Sequence, residues 1–271
     1  MKIVYLYFMF MFAITILASA REIDLKMFIG NWKDSPRGTL YGSVVIRPVL
    51  TKCEGNPLFP LKKGAVLWGL NFLSYGTLGS GLSTVPSALK GEQHIIYIVS
   101  GKGVIKAGKK TSELYDGIGV LIPPGIEFTI SNTGKEALVM YITGESVPQG
   151  FRTNGEITVR YEYDNPISTN VDRGGSEDWL FSGADGLYRI AAFTPVMFEP
   201  MSFVPPHVHQ AGAEEVWLSL DGDINILLNE SQYILPAGSA YITPIDGRTS
   251  HANANKSDSS KKMLWIMAVP R

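Results

Sequence analysis

The sequence is poor in cysteine, because Cys53 is the only one among 271 residues. An intramolecular disulfide is therefore impossible, and buried apolar cores have to stabilise the fold. No histidine lies close to Cys53 in the sequence. We therefore interpret Cys53 as a passive residue rather than a nucleophile.

The sequence also lacks an excess of charge of either sign. Lys and Arg total 24, Asp and Glu total 25, and the formal net charge is −1. It contains no basic block and no alternation of basic and aromatic residues. Nucleic acid is therefore not expected as a partner.

Long helical patterns are missing as well. Instead, apolar segments of about five to eight residues alternate between turn residues, which is the pattern of short β-strands. Typical examples are "HIIYIVSGKGVIKAG" and "VWLSLDGDINILL". The 28 glycines and 16 prolines suit the many turns that such strands require. The pattern predicts an all-β fold, with nearly all of residues 60–145 and 187–270 in strands and turns.

The first twenty residues differ from the rest of the chain. Lys2 is followed by an apolar run from Ile3 to Leu17, and the small residues Ala18-Ser19-Ala20 come next. This is the build of a secretory signal peptide cleaved after Ala20. The apolar run is shorter than the roughly 20 residues that cross a bilayer, which disfavours a membrane anchor. We expect a secreted or periplasmic protein with no membrane segment after cleavage.

The mature sequence contains an internal repeat. Turn residues recur 121 positions apart (222 − 101, 238 − 117 and 244 − 123), in the pairs Gly101 and Gly222, Gly117 and Gly238, and Pro123 and Pro244. A constant offset over several turns indicates a tandem duplication of one β unit. The turn-rich segment 144–155 suits a linker. We therefore predict a signal peptide over residues 1–20, an N-terminal unit over 21–150 and a C-terminal unit over 151–271.

Three of the four histidines lie in the second unit. His207 and His209 are one residue apart, so on a strand both side chains face the same way, as a metal site requires. Glu215 follows, then six residues and Gly222. A second group of turn residues and possible ligands follows about 16 positions after Gly222 (238 − 222). It consists of Gly238, Pro244, Gly247, His251 and Asn255.

This pair of motifs resembles the two motifs of the cupin superfamily. The resemblance covers the whole mature chain as a bicupin, that is, two tandem double-stranded β-helix (jelly-roll) barrels. The chain departs from the family pattern at Met201, which replaces the opening glycine, and in the five residues between His209 and Glu215. Gly247 and His251 also each lie one residue later than the pattern places them. The added residues fall in predicted turns, where insertions are tolerated.

The resemblance implies one metal ion in the C-terminal barrel, held by His207, His209, Glu215 and His251. Three imidazoles and one carboxylate suit a divalent transition metal such as Mn, Fe, Ni, Cu or Zn. Glu214 is an alternative ligand, because it restores the family's shorter spacing after His209. Glu215 keeps the spacing to Gly222, and a slip of one residue on a strand would turn the side chain to the opposite face.

The first unit keeps the turn residues of the motifs but not the ligands. Pro86, Ala88 and Phe128 stand where His207, His209 and His251 stand in the second unit, and His94 stands at the position of Glu215. We predict no metal in the N-terminal unit and interpret His94 as a buried, hydrogen-bonded histidine.

Three further residues are candidates for binding substrate. Trp217 shares a strand face with Glu215, and Asn253 shares one with His251. Arg248, in the turn before His251, offers a guanidinium to a substrate carboxylate. Each also has an ordinary interpretation, with Trp217 filling the core and Arg248 lying in a solvated turn.

The predicted function is that of an exported metal-dependent enzyme. Our first hypothesis is a dioxygenase-type oxidoreductase that acts on a small oxygenated organic molecule, with Glu215 as the catalytic base. The alternatives are a secreted metal-containing binding protein for a sugar or organic acid, and a non-redox cupin enzyme (decarboxylase, lyase, isomerase or aminohydrolase). Because fold does not select a reaction, all of these remain open at this point. The resemblance also allows a homodimer formed by exchanged edge strands.

Overall fold

The computed structural model describes residues 21–164, 168–170, 175–177 and 180–271. The predicted signal peptide therefore lies outside the described residues. Within the described part of the chain, no helix is both long enough and apolar enough to pass through a bilayer.

The chain is all-β, as the sequence predicts. Its described strands are β1 (Ile29–Asn31), β2 (Gly38–Leu40), β3 (Val44–Lys52), β4 (Ala65–Leu67), β5 (Leu70–Leu78), β6 (Ser87–Ala88), β7 (Glu92–Ser100), β8 (Gly103–Ala107), β9 (Lys110–Leu114), β10 (Ile118–Ile122), β11 (Glu127–Asn132), β12 (Leu138–Ser146), β13 (Thr158–Tyr161), β14 (Ser168–Asn170), β15 (Gly175–Glu177), β16 (Phe181–Ser182), β17 (Ile190–Phe198), β18 (Phe203–His207), β19 (Glu214–Ser219), β20 (Ile224–Leu228), β21 (Ser231–Leu235), β22 (Ser239–Ile242), β23 (His251–Ala254) and β24 (Lys261–Ala268). Short 3-10 helices lie at Leu25–Phe28, Trp32–Asp34, Glu162–Asp164 and Gly183–Asp185.

The described strands form four sheets. The N-terminal large sheet has the order β13-β10-β7-β12-β5-β3-β2, with β4 paired to β3, and the N-terminal small sheet has the order β6-β11-β8-β9. The C-terminal large sheet has the order β1-β22-β19-β24-β17-β15-β14, with β16 paired to β17, and the C-terminal small sheet has the order β18-β23-β20-β21. The N-terminal half (residues 21–150) and the C-terminal half (from residue 151 on) therefore each supply most strands of one large and one small sheet.

Three buried clusters of described residues hold these sheets together. Ile96 and Ile130 belong to a core between the two N-terminal sheets, and Ile226 belongs to a core between the two C-terminal sheets. A third core contains Leu73 from β5 and Leu264 from β24, so it joins the two large sheets. Burial of apolar area at each of these interfaces drives folding.

Each half of the chain contributes an edge strand to the large sheet of the other half. Strand β1 pairs with β22 in the C-terminal large sheet, with Ile29 opposite Tyr241. Strand β13 follows residue 150 but pairs with β10, with Tyr161 opposite Ile118. These pairings cover sheet edges that would otherwise present unpaired N–H and C=O groups. The exchange of edge strands therefore occurs within one chain.

A buried glutamate from the C-terminal half caps a strand of the N-terminal half. The carboxylate of Glu214, at the start of β19, accepts hydrogen bonds from the backbone N–H groups of Trp68 and Leu70, both at 3.3 Å. It also contacts the N–H of Gly69 between them. Burial raises the pKa of Glu214 to about 7, against the opposing effect of these N–H groups.

Glu145 makes the reciprocal contact at the end of β12. Its carboxylate accepts hydrogen bonds from the backbone N–H groups of Tyr188, Arg189 and Ile190, at 2.7, 2.6 and 2.9 Å. Gln93 donates to the same carboxylate at 2.6 Å. The first residues of β5 and β17 are thus each capped by a carboxylate from the opposite half.

Candidate metal centre

The side chains of His207, His209, Glu215 and His251 converge at one place in the C-terminal half. His207 ends β18 and lies opposite His251, the first residue of β23. Glu215 lies on β19, and His209 follows two residues after β18. One ligand atom from each of the four residues lies within 4.8 Å of the others. A single cation can therefore contact all four.

The contacts inside this cluster centre on one carboxylate oxygen. Glu215 Oε2 lies 2.9 Å from His209 Nε2 and also contacts His251 Nε2. The ring centroids of His207 and His251 are 4.2 Å apart. Burial on its own would raise the pKa of Glu215, but the hydrogen bond from His209 and the charges of His209 and His251 hold it well below its usual range. Glu215 is therefore a carboxylate, the form that binds metal.

The histidine nitrogens support a metal in this place. His251 is fully buried, and neither of its ring nitrogens makes a hydrogen bond within the described residues, although Nε2 contacts Glu215 Oε2. A buried polar atom without a partner is costly, and a cation would give the imidazole lone pair a partner. Three imidazoles and one carboxylate are a donor set for divalent transition metals from Mn to Zn. The four residues could therefore hold such an ion.

Two contacts orient the candidate ligands from outside the cluster. His207 Nδ1–H donates to the carbonyl oxygen of Pro205 at 2.9 Å, which leaves Nε2 free to bind. Trp265 Nε1–H donates to Glu215 Oε1 at 2.7 Å, so Oε2 is the oxygen that faces the histidines. Such outer hydrogen bonds fix the orientation of a metal ligand and tune its basicity.

We expect Trp265→Phe to weaken metal affinity by about 10–100-fold, the usual effect of losing an orienting partner. The change keeps an aromatic ring but removes the N–H that holds Glu215. Trp217→Phe is the matched control, because Trp217 Nε1 has no hydrogen-bond partner in the described part of the chain and its ring lies beside Trp265, with centroids 6.0 Å apart. Competition titration with a metal indicator measures both variants. Equal affinities in the two variants would contradict the orienting role.

One side of the cluster faces solvent. The His209 side chain is 24% exposed, whereas Glu215 is 3% exposed and His251 is 0% exposed. His207 is also partly exposed. The cluster therefore has a buried floor, formed by Glu215 and His251, and a partly exposed rim, formed by His207 and His209.

The structure separates the two glutamates that the sequence left as alternatives. Glu215 points to the histidines, and Glu214 points to the backbone of residues 68–70 in the opposite half. Successive residues of a strand face opposite ways, so only one of the two can reach the cluster.

Trp217 and Asn253 lie buried in the C-terminal half. Asn253 Oδ1 accepts a hydrogen bond from the hydroxyl of Tyr241 at 3.0 Å, and the Tyr241 ring centroid is 6.2 Å from that of His251. Among the residues that the structure describes, Asn253 Nδ2 and Trp217 Nε1 have no hydrogen-bond partner. These free donors are compatible with substrate binding, which stays a prediction.

Arg248 is exposed in the turn before β23, where its backbone N–H donates to Asp246 at 2.9 Å. The structure does not bring its side chain into contact with the cluster, so its role also stays a prediction.

Sequence reasoning did not identify Trp265 or Tyr241. Both lie opposite Trp217 on the neighbouring strands β24 and β22, and only the strand pairing shows this.

No protein-family model and no curated protein matches the sequence. Solved structures do match the fold. A putative glyoxylate-induced protein from Pseudomonas aeruginosa aligns with a TM-score of 0.70 at 15% identity, over 90% of this chain and 88% of that one. An oxalate decarboxylase mutant from Bacillus subtilis aligns with a TM-score of 0.67 at 12% identity, over 90% and 78%. Protein Ylba from E. coli aligns with a TM-score of 0.66 at 14% identity, over 93% and 96%. These similarities show that the chain has a cupin fold.

Proposed function

We propose that the chain is an exported, metal-dependent bicupin enzyme whose metal centre consists of His207, His209, Glu215 and His251. The convergence of these four side chains within 4.8 Å supports the metal. The cupin fold shared with oxalate decarboxylase supports an enzyme of this kind. The signal-peptide pattern of residues 1–20 supports export to the periplasm or beyond the cell.

The open rim of the centre is the observation that carries the enzyme proposal. A metal that only stabilises the fold is normally closed off by its ligands, whereas a catalytic metal keeps a position for substrate. Here His207 and His209 remain partly exposed above the buried Glu215 and His251. This arrangement favours an enzyme over the alternative, a secreted protein that binds a sugar or organic acid around a structural metal.

The reaction that we propose is dioxygenation of a small oxygenated organic molecule. A bound divalent metal would supply Lewis-acid stabilisation of a substrate oxyanion and free coordination positions. The residues themselves supply proton handling, since a proton from a substrate hydroxyl can be held at Glu215 Oε2, 2.9 Å from His209 Nε2. Trp265 keeps Glu215 Oε1 as a hydrogen-bond acceptor at 2.7 Å, so the other oxygen serves as the base.

Elemental analysis followed by gas measurements tests this proposal. We expect about one divalent metal per chain, and oxygen uptake with a phenolic or enediol substrate that stops after treatment with a chelator. Release of CO2 from a dicarboxylic acid without net oxygen uptake would replace the dioxygenase by a decarboxylase. A metal-loaded protein that converts neither class would favour the binding protein.

A further inference from the structure

The N-terminal half contains a cavity of about 760 Å³ at the position that corresponds to the metal centre. His94, which corresponds to Glu215 in the repeat, lines this cavity, and so does Ala88, which corresponds to His209. The small side chain of Ala88 leaves open the space that an imidazole would fill. The volume lies within the range of about 300–1,000 Å³ that is usual for small-molecule sites.

A chain of hydrogen bonds lies at the wall of the cavity. The Tyr41 hydroxyl and His94 Nδ1 are 2.6 Å apart, and His94 Nε2 lies 3.1 Å from Glu92 Oε2. Burial raises the pKa of Tyr41, so its hydroxyl keeps the proton and forms a neutral hydrogen-bonding partner for Nδ1. An ionised carboxylate only accepts hydrogen bonds, so His94 Nε2–H donates to Glu92 and orients it.

His94 is held firmly in this place. Its ring packs edge-to-face against Phe72, with centroids 5.1 Å apart. Gly144 lies opposite on β12, and a Cβ there would come within 2.8 Å of the ring. Tyr41 adopts a left-handed backbone conformation with a φ of 52°, which is uncommon for an aromatic residue. Strained residues of this kind are often found at binding sites.

The remaining groups of the cavity indicate the class of ligand. The Glu92 side chain is 43% exposed and can accept further hydrogen bonds, while the ammonium of Lys90 donates. These two residues supply one charge of each sign, so the lining favours neither an anion nor a cation. Leu40, Phe72 and Leu89 add apolar wall. A ligand that fits has groups that both donate and accept, no net charge and an apolar face.

We propose that this cavity binds a neutral, polyhydroxylated ligand of monosaccharide or disaccharide size, and that it does so without a metal. A hydroxyl of the ligand donates to Glu92 and another accepts from Lys90. The C–H faces of the ligand pack against Phe72 and Leu89. His94 and Tyr41 act as positioning residues, because they reach the ligand through Glu92.

Calorimetric titration of chelator-treated full-length protein tests the proposal, with D-glucose, D-galactose, sucrose and the sugar acid D-glucuronate as probes. We expect at least one of the neutral sugars to bind. Glu92→Gln should weaken this binding by about tenfold or more, since a hydrogen bond to a charged group is lost. Ala88→Trp should abolish it by filling the cavity. Glu113→Gln is the control, because Glu113 is an exposed glutamate on β9 and should bind like the unaltered protein.

Four outcomes would overturn the proposal. The first is that none of the neutral sugars binds, and the second is that D-glucuronate alone binds. The third is binding that vanishes with chelator and returns with added metal, which would place the ligand at the metal centre instead. The fourth is unchanged binding in both Glu92→Gln and Ala88→Trp. Thermal melting of each variant verifies that it is folded.

Discussion

Replacing Glu215 by glutamine is expected to remove most of the bound metal, while the same change at Glu214 is expected to leave it. Glu215 Oε2 lies 2.9 Å from His209 Nε2 and is the carboxylate oxygen at the centre of the cluster. Loss of an orienting partner alone costs about 10–100-fold in metal affinity, so loss of the anionic ligand should cost more than about 100-fold. Metal per chain, measured by elemental analysis after dialysis, gives the result.

The two variants are a close match, because they alter adjacent glutamates that are both buried. Glutamine preserves the shape of each side chain and leaves an acceptor oxygen at Glu214 for the backbone of residues 68–70. Metal lost from Glu214→Gln but kept in Glu215→Gln would mean that the register of β19 is wrong by one residue. His251→Gln should behave like Glu215→Gln.

Replacing Glu145 by alanine is expected to lower the free energy of unfolding by about 3 kcal/mol or more. The carboxylate accepts hydrogen bonds from three consecutive backbone N–H groups, of residues 188–190. Each buried N–H that loses its partner costs about 1–3 kcal/mol. Urea denaturation, followed by tryptophan fluorescence, measures the change in midpoint.

Glu136→Ala is the control for this variant, because Glu136 lies exposed in the turn before β12 and its side chain makes no described contact. We expect the control to unfold at the midpoint of the unaltered protein. A loss below about 1 kcal/mol in Glu145→Ala would show that solvent satisfies these N–H groups and that the carboxylate does not join the two halves.

The all-β fold could be predicted from the sequence because its signals are local. Turn markers such as Gly101 and Gly222 end strands wherever they occur, and both residues lie in turns next to strands in the structure. The spacing from Glu215 to Gly222 also acts locally, since a strand fixes which way each side chain points, and it was sufficient to favour Glu215 over Glu214. His207 and His209 do not share a strand, because β18 ends at His207, so their convergence depends on the loop that follows β18.

The parts that sequence reasoning missed depend on pairing between distant segments. Trp265 is 50 positions from Glu215, and only the pairing of β24 with β19 brings the two together. The exchange of β1 depends on contacts such as that of Asn31 with Ser239, which are 208 positions apart. The capping roles of Glu145 and Glu214 require the packing of one half against the other. No local pattern encodes these contacts.

The central claim is that three imidazoles and one carboxylate share one metal ion. Anomalous X-ray scattering from a crystal of the metal-loaded protein tests it most directly. We expect one strong peak within about 2.0–2.3 Å of His207, His209, His251 and Glu215, the distances typical of N and O ligands. A peak elsewhere, or histidine side chains turned away from one another with no peak between them, would contradict the claim.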